Sequence, residues 1–352
     1  METVLNKEKL VEWIYSEIQQ KGIKGKRFFD FFAGTSNVGR FFKTKGYQVI
    51  SSDLLYFSYV LQKAYLENNE IPKFEKLLQS IKIQSKTLFA SELDLVYEYL
   101  NNLTGIEGFI YKNYTPKGTN HLKQPRMYFI DENGKKIDAI RQKIEQWRAE
   151  NLITENEYFI LLAVLIESVP FYANILGVFA SFKKDWDVRA LKKLELKPIK
   201  LLQNEQKNYA FNQNSVELLN KFEFDIIYLD PPYNQRQYAP NYHLLETIAK
   251  YDNPEIKGVS GMRNYEKQKS DFCNKDKGLV ELEKILQSKN YKHLLLSYNN
   301  EGIMPQDKIS KLMKKYGDLE LVEYNYLRFK SNNNGQAKNK KYIKEQLYIL
   351  TK

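Results

Sequence analysis

Cysteine and histidine are nearly absent from this chain. A single cysteine, Cys273, supports neither a disulfide framework nor a cysteine-built zinc or iron–sulfur site. Three histidines, His121, His243 and His293, stand far apart, so no metal is expected. Long apolar runs are missing too. The longest, Tyr158 to Gly177, contains Glu167 and Pro170 and reads as a buried helix, not a membrane span. The polar stretch Met1 to Lys9 lacks the apolar core of a secretory signal, so the expectation is a cytoplasmic protein without a membrane partner. Neither Gly-x-Gly-x-x-Gly nor Gly-Lys-Ser/Thr occurs, which argues against a dinucleotide-dependent dehydrogenase and a phosphate-loop enzyme.

What is present is a globular composition: 352 residues, 43% hydrophobic and 28% charged. That length suits two domains, or one domain with a large insertion. Lysine and arginine number 54 against 43 acidic residues, a net charge of +11 that favours a polyanionic partner.

Periodicity divides the chain. Leu10, Val11, Ile14 and Ile18 give Lys7–Gln20 an amphipathic helical spacing. Strands are expected at Arg27–Phe32, Tyr47–Asp53, Asn208–Asn212, Phe224–Asp230 and His293–Ser297, with helices at Tyr56–Glu67, Ser215–Lys221 and Tyr242–Tyr251. Between residues 68 and 200 the strand–helix rhythm stops. Helices are expected there at Phe74–Gln84, Ser91–Asn102, Ile137–Glu150 and Glu155–Ser168, and irregular or β structure over Gly105–Lys136. Asp252–Lys277 reads as a long polar loop, and Leu319–Arg328 with Tyr342–Thr351 as a hairpin. The expected fold class is α/β: a doubly wound, Rossmann-like sheet with a C-terminal β-hairpin and a mostly helical insertion. Residues 1–67 and 201–352 would form the sheet domain and residues 68–200 the insertion. Such sheets bind ligands at the carboxyl ends of their strands, where Asp30, Asp53 and Asp230 fall.

Two motifs carry chemistry. In Asp30-Phe-Phe-Ala-Gly-Thr-Ser-Asn-Val-Gly39 a strand runs into a glycine turn and a helix, the layout of a nucleoside crevice. Asp53 ends the next strand, where a carboxylate holds ribose hydroxyls. The blander reading is a tight turn beside a solvated carboxylate. The second motif is Asp230-Pro-Pro-Tyr233. Two prolines force an extended, rigid turn, aiming the Asp230 carboxylate and the Pro231 carbonyl at one point. Two converging acceptors fit an amino group, and Tyr233 offers a face for a base. Acceptors there stabilise the positive charge that develops when a ring amine is methylated.

With these motifs the chain resembles the N6-adenine-specific DNA methyltransferases of restriction–modification systems, over most of its length. Phe32 and Gly34 match that family's S-adenosylmethionine loop, Ser36 replaces its second glycine, and Asp230–Tyr233 matches its catalytic tetrapeptide letter for letter. The order, cofactor loop, insertion, tetrapeptide, is the family's alpha arrangement. The resemblance implies a methyltransferase sheet, a target-recognition insertion and S-adenosyl-L-methionine as cofactor. It implies cofactor contacts at Asp30, Phe31, Phe32, Ala33, Gly34, Thr35, Asn37, Val38, Asp53, Leu54 and Asp230, with Asn212 or Asn214 near the cofactor adenine. Catalysis would fall to Asp230, Pro231, Pro232 and Tyr233. Asn174–Phe179 stands in for the family's missing N-terminal cofactor motif. The implied partners are double-stranded DNA and, functionally, a restriction endonuclease; the protein would be a monomer or dimer. Cytosine-N4 methylation and a non-catalytic DNA-binding subunit are the alternatives. Asp before Pro-Pro-Tyr argues against the first, and intact Asp30, Asp53 and Asp230 against the second. Cys273 follows Phe272 rather than proline, so cytosine-C5 chemistry is not expected.

The basic excess is concentrated. Phe182–Lys207 carries eight basic and four acidic residues, and Asn325–Lys352 seven and one. Candidate phosphate contacts are Lys183, Lys184, Arg189, Arg236, Arg263, Arg328 and Lys330. Gly105–Arg126, with Tyr111, Tyr114, Lys117, His121 and Arg126, is a candidate base-reading segment. A structural ribbon is the competing reading. Asp252–Lys277 is expected to order over the target base. His243 reads as a core residue rather than a base.

Overall fold

The computed structural model describes residues 2–81, 91–327 and 342–352. It opens with α1 (Glu2–Gln20), β1 (Arg27–Asp30), α2 (Asn37–Thr44) and β2 (Gln48–Ser52). Next come α3 (Tyr56–Gln62), α4 (Glu75–Ile81), α5 (Glu92–Asn101), α6 (Phe109–Tyr114), α7 (Asp131–Ala149) and α8 (Glu155–Ser168). β3 (Tyr209–Phe211), β4 (Phe224–Leu229), α9 (Ala239–Lys250), β5 (Ile256–Lys257) and β6 (Met262–Arg263) follow. The chain closes with α10 (Lys275–Gln287), β7 (Tyr291–Asn299), α11 (Gln306–Met313), β8 (Asp318–Leu327) and β9 (Tyr342–Thr351). Two compact units result. One comprises Met1–Leu54, Asn204–Gln237 and Ser270–Lys352; the other comprises Leu55–Gln203 and Tyr238–Lys269. The helical unit thus takes in α3 and α9, which lie outside the expected insertion in sequence.

The first unit is a seven-stranded sheet in the order β3-β2-β1-β4-β7-β9-β8. The first five strands are parallel; β9 and β8 are antiparallel to their neighbours. This is a mixed α/β, doubly wound, Rossmann-like sheet ending in an antiparallel strand pair. β4 is apolar almost throughout, and β1 contributes Phe28 and Phe29, because parallel strands are covered on both faces. On one face Phe29, Ile227, Leu229, Leu294 and Leu296 pack with Leu282, Ile285 and Leu286 of α10 and Ile309 and Met313 of α11. On the other, Phe28 stacks on Phe42 of α2 at 3.8 Å between ring centroids. Leu10, Val11, Ile14 and Ile18 of α1 are all buried, as their spacing predicts.

The second unit is built around α8. From Tyr158 to Ile166 every residue is buried, so the helix has no polar face to solvent. The apolar run is not helical to Gly177: α8 ends at Ser168, a 3-10 turn spans Val169–Tyr172, and extended backbone follows at Ala173. Pro170 has no N–H with which to continue the α-helical ladder. Gly105–Lys136 contains no strand. α6 forms within it, and α7 begins at Asp131 rather than Ile137. Asp138, fully buried on α7, accepts the Ile110 and Tyr111 amides at 2.9 and 2.8 Å and so satisfies the start of α6. Burial raises the Asp138 carboxyl above its ordinary range despite those bonds. Asp252–Lys277 holds the β5–β6 pair and two 3-10 turns. α10 and α11 were not expected; Asn274 caps α10 by accepting the Asp276 and Lys277 amides, both at 3.1 Å. No helix among the described residues is long and apolar enough to cross a membrane.

Candidate active site

β1 pairs on one side with β2 and on the other with β4, so the chain's winding reverses between β1 and β4. A doubly wound sheet presents its ligand crevice at that point, beyond the carboxyl ends of the strands. Four polar residues stand there in spatial order: Asn212 after β3, Asp53 after β2, Asp30 ending β1 and Asp230 after β4. The three carboxylates share one rim, as the strand ends predict.

The turn after β1 is locked from both sides. Asp30 is 1% exposed, and its Oδ2 accepts the Gly39 amide in the first turn of α2 at 3.0 Å. A carboxylate at a helix N-terminus is favoured by the exposed amides and the dipole. Asp30 therefore braces the loop and is poorly exposed for a ligand contact, contrary to its expected role. Asp53, half-buried, accepts the Gly34 amide at 2.9 Å, while Ala33 donates to Ser52 O at 3.1 Å. Gly34 has φ 51°, and a Cβ there would meet nothing nearer than Phe32 O at 3.9 Å. The space before this turn is open. Ser36 also sits in the left-handed region, φ 62°, where the family has glycine, and its buried Oγ finds no partner.

Other predicted residues divide by exposure. The Phe31 ring lies in the core, and its carbonyl accepts the Ser215 hydroxyl at 2.6 Å, so it is a packing residue rather than a cofactor contact. Phe32 is half-buried and meets Phe272 edge-on at 5.3 Å. Ala33 and Val38 are buried, whereas Thr35, Asn37 and Leu54 are partly exposed on the turn and the rim. Asn212 is exposed and donates through Nδ2 to Asp53 O at 2.9 Å. Asn214 instead uses its side-chain oxygen to accept the Val216 amide at 3.1 Å, capping the turn that follows.

Beyond β4, Pro231 and Pro232 are buried and Asp230 is half-buried, while the Tyr233 side chain is 42% exposed. Tyr233 O accepts the Ile303 amide at 3.0 Å, pinning the tetrapeptide to the segment after β7. Burial and the neighbouring Asp230 and Asp30 charges push the Tyr228 phenol well above its ordinary range, so it stays neutral. Cys273 is buried, its thiol donates to Arg236 O at 3.3 Å, and burial pushes it up to about 11, which removes it as a nucleophile. No cluster of metal-ligating side chains occurs among the described residues.

The basic candidates also divide. Lys184 and Arg236 are exposed. Lys183 and Arg189 both contact Asp187, at 3.2 and 3.3 Å. Arg263 does not face solvent: it is buried in a paired contact with Asp252, at 3.0 and 2.7 Å, and so is not exposed to a phosphate, contrary to the expectation. Arg126 and Tyr114, expected to read bases, are buried as well. The Arg126 guanidinium is spent on Asn113 O, Gly258 O and Val259 O, and the Tyr114 hydroxyl on Gly261 O. Lys117 and His121 remain exposed. Asn174 is fully buried and occupied by backbone groups of its own unit, so it is not a free cofactor ligand. His243 is a core residue as expected: its Nε2 meets Phe179 O at 2.8 Å and burial lowers its pKa to about 4. Arg328 and Lys330 lie outside the described residues.

A Rossmann-like sheet with an acidic rim and an Asp-Pro-Pro-Tyr turn defines the methyltransferase class. The chain belongs to the D12 class N6 adenine-specific DNA methyltransferases, whose family model matches residues 6–312. It is 39% identical over 328 residues to modification methylase StsI of Streptococcus sanguinis, covering 92% of this chain and 48% of that protein. It is 41% identical over 314 residues to type II methyltransferase M.FokI of Planomicrobium okeanokoites, covering 88% and 46%. To M.NlaIII of Neisseria lactamica it is 37% identical over 358 residues, covering 100% of this chain and 99% of that protein. The chain thus spans about half the length of the StsI and FokI enzymes and nearly all of M.NlaIII. No solved structure matches it.

Proposed function

We propose that this protein transfers a methyl group from S-adenosyl-L-methionine to N6 of an adenine turned out of double-stranded DNA. The observation that carries this reading is the placement of Asn212, Asp53 and Asp230 at the carboxyl ends of β3, β2 and β4 in one parallel sheet, beside an open glycine turn at the end of β1. The residues fit the cofactor. Asp53 is fixed at the end of β2 by the Gly34 amide, where a carboxylate meets ribose hydroxyls, and the exposed Asn212 amide suits an adenine edge better than Asn214, which is spent as a cap. When bound, S-adenosyl-L-methionine supplies an electrophilic methyl group on sulfonium sulfur. Asp30 acts by holding the turn through Gly39.

Asp230 and the Pro231 carbonyl accept hydrogen bonds from the two N–H groups of the adenine amine, which keeps both protons until the methyl group has been transferred. The nitrogen lone pair is then drawn out of ring conjugation, and the charge developing on methylation is stabilised in place. Tyr233 stacks on the base, its main chain fixed by Ile303. The proton leaves to water after transfer, so no strong general base is required, and His243 is buried and neutral. The helical unit supplies target recognition. A restriction endonuclease sharing the DNA site is the expected counterpart, and the cytoplasm the expected location.

The test is sequencing with modification detection on plasmid from cells expressing the chain, together with an Asp230→Ala variant. We expect one adenine-centred site to be modified throughout. The variant should lose methylation at least about 100-fold while binding S-adenosyl-L-methionine with little change by calorimetry. Modified cytosine would overturn the adenine assignment, and normal methylation by the variant the catalytic one.

A further inference from the structure

Two turns in the helical unit carry aliphatic side chains into solvent, and both are firmly built. In the first, Ile175 and Phe182 form an antiparallel bridge, and Gly177 turns the chain at φ 85°. Leu176 is 77% exposed there. The second joins β5 to β6 through Gly258 and Gly261, at φ 71° and 65°, and leaves Val259 60% exposed. Each exposed aliphatic side chain forgoes the apolar burial that would favour folding.

Each turn is braced from below. Asn174 donates its amide to Tyr128 O at 2.9 Å and its Nδ2 to Lys183 O at 3.0 Å, and its Oδ1 accepts the Asp187 amide at 2.9 Å. Arg126 donates Nε to Val259 O at 2.9 Å and Nη2 to Gly258 O at 3.0 Å. Among the described residues no carboxylate pairs with Arg126, and burial lowers its pKa. A desolvated guanidinium spent on backbone carbonyls is a costly way to hold a surface turn. Two packed side chains join the turns: the Tyr128 hydroxyl donates to Phe179 O at 3.0 Å, its ring meets Tyr114 edge-on at 5.8 Å, and the Tyr114 hydroxyl donates to Gly261 O at 2.8 Å. The first turn leads directly into Lys183 and Lys184, and the Lys183 amide donates to Asn174 O at 2.9 Å at the base of the turn.

We propose that Leu176 and Val259 form a rigid apolar wedge that enters the base stack of duplex DNA and holds it open while the target nucleotide is extruded. The proposal rests on the adenine-methylation reading. Opening a step costs unstacking energy, which an inserted aliphatic side chain offsets by restoring apolar contact with the separated bases. A tip on a soft loop would fold back instead, and the braces prevent that. The adjacent lysines suit the phosphates flanking an opened step.

The test compares Leu176→Ser, Val259→Ser and the double variant with the wild type on two duplexes carrying the recognition site. One is fully paired; in the other the target adenine faces an abasic site and is already weakly held. Both substitutions are at exposed positions and leave the braces intact. On the paired duplex we expect single-turnover methylation to fall about tenfold for each single variant and further for the double. On the abasic duplex all variants should return to within about threefold of the wild type. Equal loss on both duplexes, or wild-type rates on the paired duplex, overturns the wedge. If the wild type methylates neither duplex, the adenine-methylation reading fails, and the wedge with it.

Discussion

Ser36 occupies a backbone conformation that suits glycine. At φ 62° an L side chain crowds its own carbonyl, at a cost of about 1–2 kcal/mol. Its Oγ is also buried without a partner, a further penalty of about 1–3 kcal/mol. Glycine would remove both and return about 0.5–1 kcal/mol as unfolded-state entropy. Ser36→Gly should therefore raise the urea unfolding free energy by about 1 kcal/mol or more with methylation retained. A lower midpoint would mean that the serine makes a compensating contact. His243 gives the second prediction at this scale. Its folded pKa, about 4, lies below the ordinary 6.5 because burial disfavours the charged ring. The unfolded chain thus binds more protons than the folded one between those values. Stability is full above pH 6.5 and declines as pH falls toward 4. From pH 7 to 5 the loss from this group is about 2 kcal/mol. His243→Gln keeps a donor toward Phe179 O without titrating, so its stability should fall less over that interval. An identical pH dependence would refute the assignment.

Among the elements, the sheet strands were the most legible, because strands buried on both faces read as unbroken apolar runs that stop at a polar residue. The expectations at Asp53, Asp230 and Asn212 or Asn214 rest on the ends of those strands. α6 was hidden because its N-terminal amides are satisfied by Asp138 from the next helix, not by a local cap. Arg126 and Arg263 misled for a related reason. A basic residue in a polar stretch looks like a phosphate contact until the buried carbonyls or the Asp252 carboxylate that consume it are seen. Arg141 is another such residue. It is 1% exposed and donates to Ile248 O at 2.9 Å and Ala249 O at 3.0 Å, near the carboxyl end of α9 where a cation is favoured. It also pairs with Glu145 at 2.6 Å within α7. Arg141→Met keeps the apolar volume but strands these acceptors, and should destabilise the protein by about 3–5 kcal/mol in urea unfolding. A loss below about 1 kcal/mol would show that water replaces the guanidinium.

At the scale of the molecule, the net charge of +11 is borne mainly by two stretches, and the described part of the first divides into engaged and exposed cations. Lys183 and Arg189 share Asp187, whose carboxyl those hydrogen bonds hold well below its usual range. Lys184 is exposed. Surface pairs of this kind are weak, so a phosphate can displace Asp187, but the carboxylate remains beside it and repels. If this stretch meets the DNA backbone, Asp187→Asn should tighten binding to cognate and non-cognate duplexes alike. Lys184→Ala should weaken both and reduce the slope of log affinity against log salt by about 0.9, the value for one phosphate contact. The cognate-to-non-cognate ratio should not change, since phosphate contacts set register and affinity rather than sequence. Fluorescence anisotropy between about 50 and 200 mM salt measures all three quantities, over a range where phosphate contacts change affinity steeply. Weaker binding by Asp187→Asn, or an unchanged slope for Lys184→Ala, would move the backbone contact away from this stretch. An altered ratio would instead give the stretch a part in reading the sequence.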